Sequence, residues 1–347
     1  MRLLSGKYRT GYTLAIRVLS LLLLGFLLLL SARAGSARNS VVERYQEALL
    51  KESEGDCLAA IFIYQDVLQE NPYYLDAKLG LARCYLETGS LQLAGETLKS
   101  ALGQKPDSVQ ALNLLGRVYT AMNRYREAEE MFMRSLGEEP ARLETRYHLA
   151  DLFRARGDYL EAVDLYNQIL KIHPRDVRAY LYLGIVYTQM GELRRAGGFF
   201  RKAVSLDSQD PRTHLNLARH YYRMGVTQVV AAPDEAGDYF DAAVQEAATA
   251  LAIQERLPEA HQVLADVHFY RGDYRQAAVW YRNLLQLRPR DHLLLYSLGF
   301  CHEMLGAPGE AAGAYERGLG ERIDDEVLRF RLEETVMETL REELDHP

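Results

Sequence analysis

The sequence is poor in cysteine and has no excess of basic residues. Only three of its 347 residues are Cys, an odd number that cannot form a fully paired disulfide framework. It carries 41 Lys and Arg against 48 Asp and Glu, and five of the basic residues lie in the first 34 positions, which leaves −12 for the remainder. A chain this acidic lacks the basic surface that neutralises phosphates, so composition argues against a nucleic-acid partner.

Known catalytic motifs are also missing. The sequence contains no Walker loop, GxGxxG, GxSxG, HExxH or CxxC. It therefore predicts a non-enzymatic protein that uses no cofactor. Because 48% of the residues are apolar and 10% aromatic, the chain can bury a sizeable core. Its length fits two domains or one extended array.

The first 34 residues have the three parts of an export signal. A basic start precedes the apolar run 18–30, and small residues flank a boundary at Ala32-Arg33-Ala34. We expect cleavage after Ala34; the alternative is a retained signal anchor over 13–30, interrupted by Arg17. In either case the rest of the chain lies across the membrane, in the periplasm if the source is bacterial.

A frame of 34 residues repeats from residue 41 to 325. It returns the same residue types at each start, with one insertion in the sixth period, and the starts are 41, 75, 109, 143, 177, 211, 258 and 292. The eighth and twentieth positions are Ala or Gly in every period. Gly occupies seven of the eight fifteenth positions, and Pro occupies five of the eight thirty-second positions. Such a fixed period is typical of a solenoid.

Each column has a physical reason. The frame divides into two amphipathic helices that are joined at the Gly and ended at the Pro. Small side chains at positions 8 and 20 allow the two helices to approach closely. Large aromatic side chains then fill the space between neighbouring hairpins, and those at position 24 are Tyr64, Phe132, Tyr166, Phe200, Tyr281 and Tyr315. One hairpin cannot bury its apolar face alone, whereas a stack can.

At these positions the sequence resembles the tetratricopeptide repeat (TPR) family. One of the clearest copies combines Leu115-Gly116 with Tyr119, Ala128, Phe132 and Pro140. The resemblance implies an all-α fold, a right-handed superhelical solenoid of eight helical hairpins that binds protein or peptide segments on its concave side. Residues 35–40 are predicted to be a linker, and 326–347 a capping helix and tail. We expect Val327, Leu328, Leu332, Val336 and Leu340 on the inner side of that helix.

The histidines and cysteines fall at packing positions of the frame. His261, His268 and His302 occupy places where other repeats carry bulky residues, so packing is favoured over metal binding. Of the three cysteines, only Cys57 and Cys84 could meet, because Cys301 lies six repeats beyond Cys84. Free, partly buried thiols are expected.

Positions 2, 9 and 13 form one stripe on the first helix of each hairpin. At or beside this stripe the central repeats carry six arginines, which are Arg117, Arg154, Arg178, Arg212, Arg219 and Arg223. Acidic residues share the same surface in the outer repeats and include Asp76, Glu87, Glu259, Asp266 and Glu303. We hypothesise that the basic centre binds an acidic segment or a C-terminal carboxylate of a partner protein.

The sequence also offers an alternative to that hypothesis and a comparison with a known TPR ligand site. The alternative, which the sequence alone favours, is an ordinary solvated helix face. The carboxylate-clamp set of the TPR family is represented only by isolated fragments, Asn113 and Asn216, so that set is not carried over.

The thirteen-residue insertion 226–238 follows the arginines of the sixth repeat, and we expect a surface loop whose deletion leaves folding intact.

Together these patterns predict an exported scaffold that supports assembly of a cell-envelope complex. The alternatives are a non-catalytic regulatory subunit of an envelope polysaccharide-synthesis enzyme and a membrane-anchored scaffold of a flagellar or secretion apparatus. Contact with the membrane is expected only through the N-terminal segment.

The leader generates the first testable prediction. N-terminal sequencing of the protein isolated from its source should begin at Gly35, because signal peptidase accepts small residues such as Ala32 and Ala34. A chain that still begins at Met1 and sediments with membranes would show a signal anchor instead.

Overall fold

The computed structural model describes residues 41–322 and 324–345, with side chains through residue 336. The predicted leader and linker lie outside the described residues. The described chain is built from α-helices joined by short turns, as the sequence predicts. None of the described helices combines the length and apolar character needed to cross a membrane.

The chain divides into two compact units between Asp158 and Tyr159. The described part of the first unit forms seven helices, which are α1 (41–53), α2 (Cys57–Glu70), α3 (Leu75–Glu87), α4 (Leu91–Gln104), α5 (Val109–Ala121), α6 (Tyr125–Glu138) and α7 (Leu143–Arg156).

The second unit contains ten helices. These are α8 (Tyr159–Ile172), α9 (Val177–Gln189), α10 (Leu193–Leu206), α11 (Pro211–Gln228), α12 (Pro233–Ile253), α13 (Pro258–Tyr270), α14 (Tyr274–Leu287), α15 (His292–Met304), α16 (Pro308–Glu321) and α17 (Glu326–Asp345). From the second repeat onward, the first helix of every repeat begins at the predicted frame start. In each unit, helices that follow one another along the chain pack as antiparallel neighbours.

Local signals explain the helix boundaries. Several first helices begin after a side chain that caps their free N–H groups; Asp176, for example, accepts a hydrogen bond from the Ala179 amide at 3.0 Å. The turn glycines adopt the left-handed conformation in six of the repeats, at Gly55, Gly89, Gly157, Gly191, Gly272 and Gly306. Asn123 replaces Gly in the third repeat with φ 58°, since Asn tolerates this conformation better than other side chains.

The aromatic side chains were predicted to fill the space between neighbouring hairpins, but two of them pack on a glycine of their own hairpin. All six aromatic side chains at position 24 are buried. The ring of Phe200 lies so close to Gly184 that a Cβ atom there would stand 2.5 Å from the ring, and Phe132 makes the same contact with Gly116. Glycine at these positions therefore lets an aromatic ring of the second helix rest directly on the backbone of the first helix.

The insertion in the sixth repeat is not the surface loop that the sequence suggested. Helix α11 continues to Gln228 and α12 begins at Pro233, so only 229–232 connect them. Ala236 is buried, and Val226 and Val229 pack against the same apolar cluster. These apolar residues make the added turns part of the core, and Pro at the first turn of α12 suits a helix start. Deletion of 226–238 would therefore remove core packing.

Gly225 also differs from its predicted role in a turn. It lies inside α11, and its backbone is covered by the Phe240 ring, which a Cβ would meet at 2.6 Å. The longer hairpin thus moves the turn away from Gly225 and uses this glycine for helix packing.

The capping helix α17 follows the predicted span, but its inner side differs. Leu328 and Thr335 are buried and Leu332 packs against Tyr315, whereas Val327 and Val336 are exposed. Positions 328, 332 and 335 share a helical face, and this face, rather than the one containing 327, meets α16.

Gly184 provides a test of the packing rule. We expect Gly184→Val to lower the free energy of unfolding by about 1–3 kcal/mol, because the added methyl groups would overlap the Phe200 ring. Denaturant unfolding measures this effect. Gly198→Val on α10 is the matched control, since no atom lies within 4 Å of a Cβ there; equal losses in both variants would contradict the rule.

Candidate functional site

The six predicted arginines divide between the two units. Arg117 and Arg154 belong to the first unit, and Arg178, Arg212, Arg219 and Arg223 belong to the second. Their environments differ in one respect that matters for binding, which is whether a carboxylate of the chain already neutralises the guanidinium.

In the first unit both arginines have acidic neighbours. Arg117 lies 3.6 Å from Glu87, and Arg154 lies 3.5 Å from Asp151. Glu87, Arg117 and Asp151 also line one cavity of about 410 Å³, together with His148. Because both charges occur on this surface, neither Arg117 nor Arg154 is an uncompensated charge.

In the second unit a groove runs between α9 and α11. It consists of two adjoining cavities that share Ile185 and Asn216. We call the larger one, of about 500 Å³, the first pocket, and the other, of about 420 Å³, the second pocket. Cavities of this size suit individual side chains of a bound peptide.

The first pocket carries charges of both signs, with three aspartates and two arginines in its lining. Arg212 donates to Asp210 at 2.7 Å, and Asp210 also caps α11 by accepting from the Arg212 amide at 2.9 Å. The hydrogen bond from Arg212 holds the pKa of Asp210 below its usual value. Arg178 lies over the Tyr182 ring, 5.4 Å from its centroid. The structure therefore places two predicted binding residues here, but both already interact with neighbouring side chains.

The second pocket carries an unbalanced positive charge. Arg219 and Arg223 are exposed, lie four residues apart on α11 and line this pocket. Within the part of the chain that the structure describes, neither guanidinium forms an ion pair or a side-chain hydrogen bond. The floor is apolar and contains Ile185, Phe200 and the ring of Tyr222. An anionic group beside an apolar side chain would match this combination.

His220 lies behind these two arginines. Its imidazole is buried, and its Nδ1 atom has no hydrogen-bond partner among the described residues. A Cβ at Gly197 would stand 2.5 Å from Nε2, which shows how closely α10 covers the ring. Burial, with the positive charges of Arg201 and Arg223, lowers the pKa of His220 to about 4. His220 occupies position 10 of the frame, where the other repeats carry Leu, Val or Cys, so the column itself could have identified it as a histidine in the core.

Two acidic residues that were predicted to share the arginine surface in the outer repeats have internal partners instead. Asp266 is half-buried and accepts hydrogen bonds from Gln262 at 2.8 Å and Tyr281 at 2.9 Å. The Glu303 side chain is only 15% exposed and lies 3.7 Å from Arg331 of the capping helix. A residue on the predicted stripe can thus be drawn inward by a donor on the neighbouring helix.

The histidines considered as metal ligands have other contacts. The His261 ring packs edge-on against Trp280 at 5.8 Å, and His268 lies 3.4 Å from Asp273. Across the residues described, no group of three His, Cys, Asp or Glu side chains could hold a metal ion.

His220 makes stability depend on pH. Its pKa is about 4 in the folded chain and close to 6.5 when exposed, so the unfolded state binds the proton more readily between these values. Stability should therefore fall as the pH drops from about 6.5 to about 4, by on the order of 3 kcal/mol. Urea unfolding at several pH values measures this. His220→Phe should flatten that part of the profile, and an unchanged slope would contradict the assignment.

Comparison with known proteins places this architecture in a family. Two sequence models described as tetratricopeptide repeat match the chain, one over 53–118 and the other over 113–177, 147–211 and 263–326. No curated protein sequence matches.

Solved structures share the fold at low sequence identity. A tetratricopeptide repeat protein from Parabacteroides merdae is 18% identical with a TM-score of 0.51, over 76% of this chain and 98% of that one. The APC/C hetero-tetramer Cut9-Hcn1 is also 18% identical with a TM-score of 0.51, over 80% of this chain and 52% of that one. The crystal structure of MamA is 25% identical, with a TM-score of 0.40, over 46% and 94% of the two chains. The sequence matches cover more than half of the chain, which therefore belongs to the tetratricopeptide repeat family of protein-interaction scaffolds.

Proposed function

We propose that this protein is an exported, non-catalytic scaffold whose α9–α11 groove binds an acidic segment of a partner protein. The observation that carries this proposal is the pair of exposed, uncompensated guanidinium groups of Arg219 and Arg223 on an otherwise acidic chain. Repeats of this family generally mediate protein–protein interactions, which supports a protein rather than a small-molecule ligand.

The charge distribution favours binding at the second pocket. An arginine already paired, as Arg212 is with Asp210, must give up that hydrogen bond before it can bind a ligand carboxylate. Arg219 and Arg223 have no such pair to break, so a charge-assisted hydrogen bond to either one adds its full contribution, about 1.5–3 kcal/mol. A side-chain carboxylate or the free C-terminal carboxylate of a peptide can make this contact.

The shape of the groove favours an extended segment. The first pocket adjoins the second through Ile185 and Asn216, so a bound chain can pass from one to the other. Apolar surface from Leu181, Tyr182 and Leu215 in the first pocket can then accept apolar side chains that flank the acidic residue. The proposed ligand is therefore an acidic segment with neighbouring apolar residues.

The proposed site of action is the cell envelope. The support is the sequence of the first 34 residues, which has the basic, apolar and small-residue regions of an export signal. A non-catalytic scaffold in that compartment would bring partner proteins together during assembly of an envelope complex. Co-purification of the tagged chain from envelope extracts, followed by mass spectrometry, identifies the partners.

A pair of variants tests the groove directly. Arg219→Gln combined with Arg223→Gln should reduce partner recovery at least tenfold, because both uncompensated charges are lost. Arg212→Gln is the matched control: it removes an exposed arginine from the same helix, but one that is already paired with Asp210. We expect the control to retain most of the binding, and binding by the wild type should weaken as salt is added.

Circular dichroism should show the same helix content in all three proteins, since these arginines are exposed. Undiminished recovery by the double variant would refute the groove proposal. Equal losses in the double variant and in Arg212→Gln would refute the distinction between the two pockets.

A further inference from the structure

Two cysteine side chains meet between the first and second repeats. Cys57 is the first residue of α2, and Cys84 lies near the end of α3, which packs against α2. The Tyr64 ring of α2 rests on Gly80 of α3, and this packing makes the two cysteines neighbours. Burial and the neighbouring Cys57 thiol raise the pKa of Cys84. Cys84 is fully buried, whereas Cys57 is half-buried and can be reached from solvent. A reagent can therefore reach the Cys57 thiol, whereas the Cys84 thiol is shielded from solvent.

A polar network holds the two helices in this arrangement. Glu52 of α1 accepts hydrogen bonds from Tyr64 of α2 at 2.6 Å and from Arg83 of α3 at 2.6 Å. Arg83 is the residue next to Cys84, so the network links all three helices beside the thiols. Because these contacts fix α2 against α3, the two sulfur atoms remain neighbours in the folded chain.

The repeat frame supplies an internal comparison. Cys57 occupies position 17 of the first repeat and Cys84 position 10 of the second. The corresponding residues of the seventh and eighth repeats are Tyr274 and Cys301. Cys301 is as deeply buried as Cys84 but faces a repeat that carries tyrosine at position 17. In the described chain, cysteines therefore occupy both positions at only one junction.

We propose that Cys57 and Cys84 form an intramolecular disulfide that joins the first two repeats in the oxidising compartment to which the chain is exported. Disulfides form and persist in such compartments. Two cysteines on packed neighbouring helices can form a disulfide when their sulfur atoms approach to bonding distance. This inference rests on the proposed export of the chain, but it uses the first unit alone and does not depend on the α9–α11 groove.

The reaction is a thiol–disulfide exchange with a small disulfide such as oxidised glutathione. The accessible Cys57 thiolate attacks one sulfur of the oxidant, releases one glutathione thiolate and forms a mixed disulfide. The Cys84 sulfur, on losing its proton to solvent, attacks the Cys57 sulfur and expels the second glutathione. Two S–H bonds are replaced by one S–S bond, and the oxidant takes up two electrons and two protons. Burial raises the pKa of Cys84, so the second step should be the slower one.

Mass spectrometry tests the proposal. The full chain is incubated with oxidised glutathione, denatured and alkylated with N-ethylmaleimide. We expect the mass of two hydrogens to be lost and a single alkylated cysteine, Cys301, with Cys57 and Cys84 recovered in one cross-linked peptide pair. Cys301→Ser should keep the cross-link and show no alkylation. Three alkylated cysteines, or a glutathione adduct that persists on Cys57, would overturn the proposal.

Thermal unfolding gives a second, independent measurement. Oxidation should raise the Tm of the wild type and of Cys301→Ser by about 5 °C, because the bond constrains the unfolded chain between residues 57 and 84. Cys57→Ser should show no such shift, and a shift of the same size in Cys57→Ser would also overturn the proposal. Partner recovery should be the same before and after oxidation, which separates this result from the outcome of the groove experiment.

Discussion

The close contact between a small residue on one helix and an aromatic ring on the next is the constraint on which the rest of this structure depends. Gly184 beneath Phe200 and Gly116 beneath Phe132 show it most clearly, because a Cβ at either glycine would overlap the ring. Dispersion and the burial of apolar surface favour this contact only when the two backbones approach closely. Repetition of the contact sets the spacing of the helices and thereby the surface that the first helices present.

The proposed binding surface follows from that spacing. Since one face of α11 packs on the core through Leu217 and Ala218, the opposite face is left to line the groove with α9. Arg219 and Arg223 lie on this face, and His220, the residue after Arg219, is buried against Phe200 at the same pocket. The same helix thus supplies both the exposed charges and a buried base whose pKa is lowered by burial and, to a smaller extent, by Arg201 and Arg223.

Much of the fold could be predicted because the repeat provides many independent copies of one pattern. The first helices from α3 onward begin at the predicted frame starts, and the turn glycines adopt the conformation that a helix end requires. The sequence predicted the structure less accurately where a feature occurs in only one repeat, as the insertion does. Gly225 matches the turn column by count, yet the apolar residues Val226, Val229 and Ala236 extend the hairpin and place this glycine inside α11. A residue count cannot tell a loop from added helical turns unless the inserted residues are also examined for core packing.

The sequence by itself determined the helices and their pairing, and it predicted the stripe of arginines, because these depend on periodicity along the chain. Only the tertiary structure decided which arginines are already neutralised: Arg117 by Glu87, and Arg212 by Asp210, while Arg219 and Arg223 keep their charge uncompensated within the described residues. The packing of neighbouring helices also buries most of the Glu303 side chain beside Arg331 and makes Cys57 a neighbour of Cys84. The physical reason is the sequence separation over which each kind of interaction acts. Helix formation depends on neighbours a few residues away, whereas ion pairs and thiol contacts depend on which side chains adjacent helices bring together.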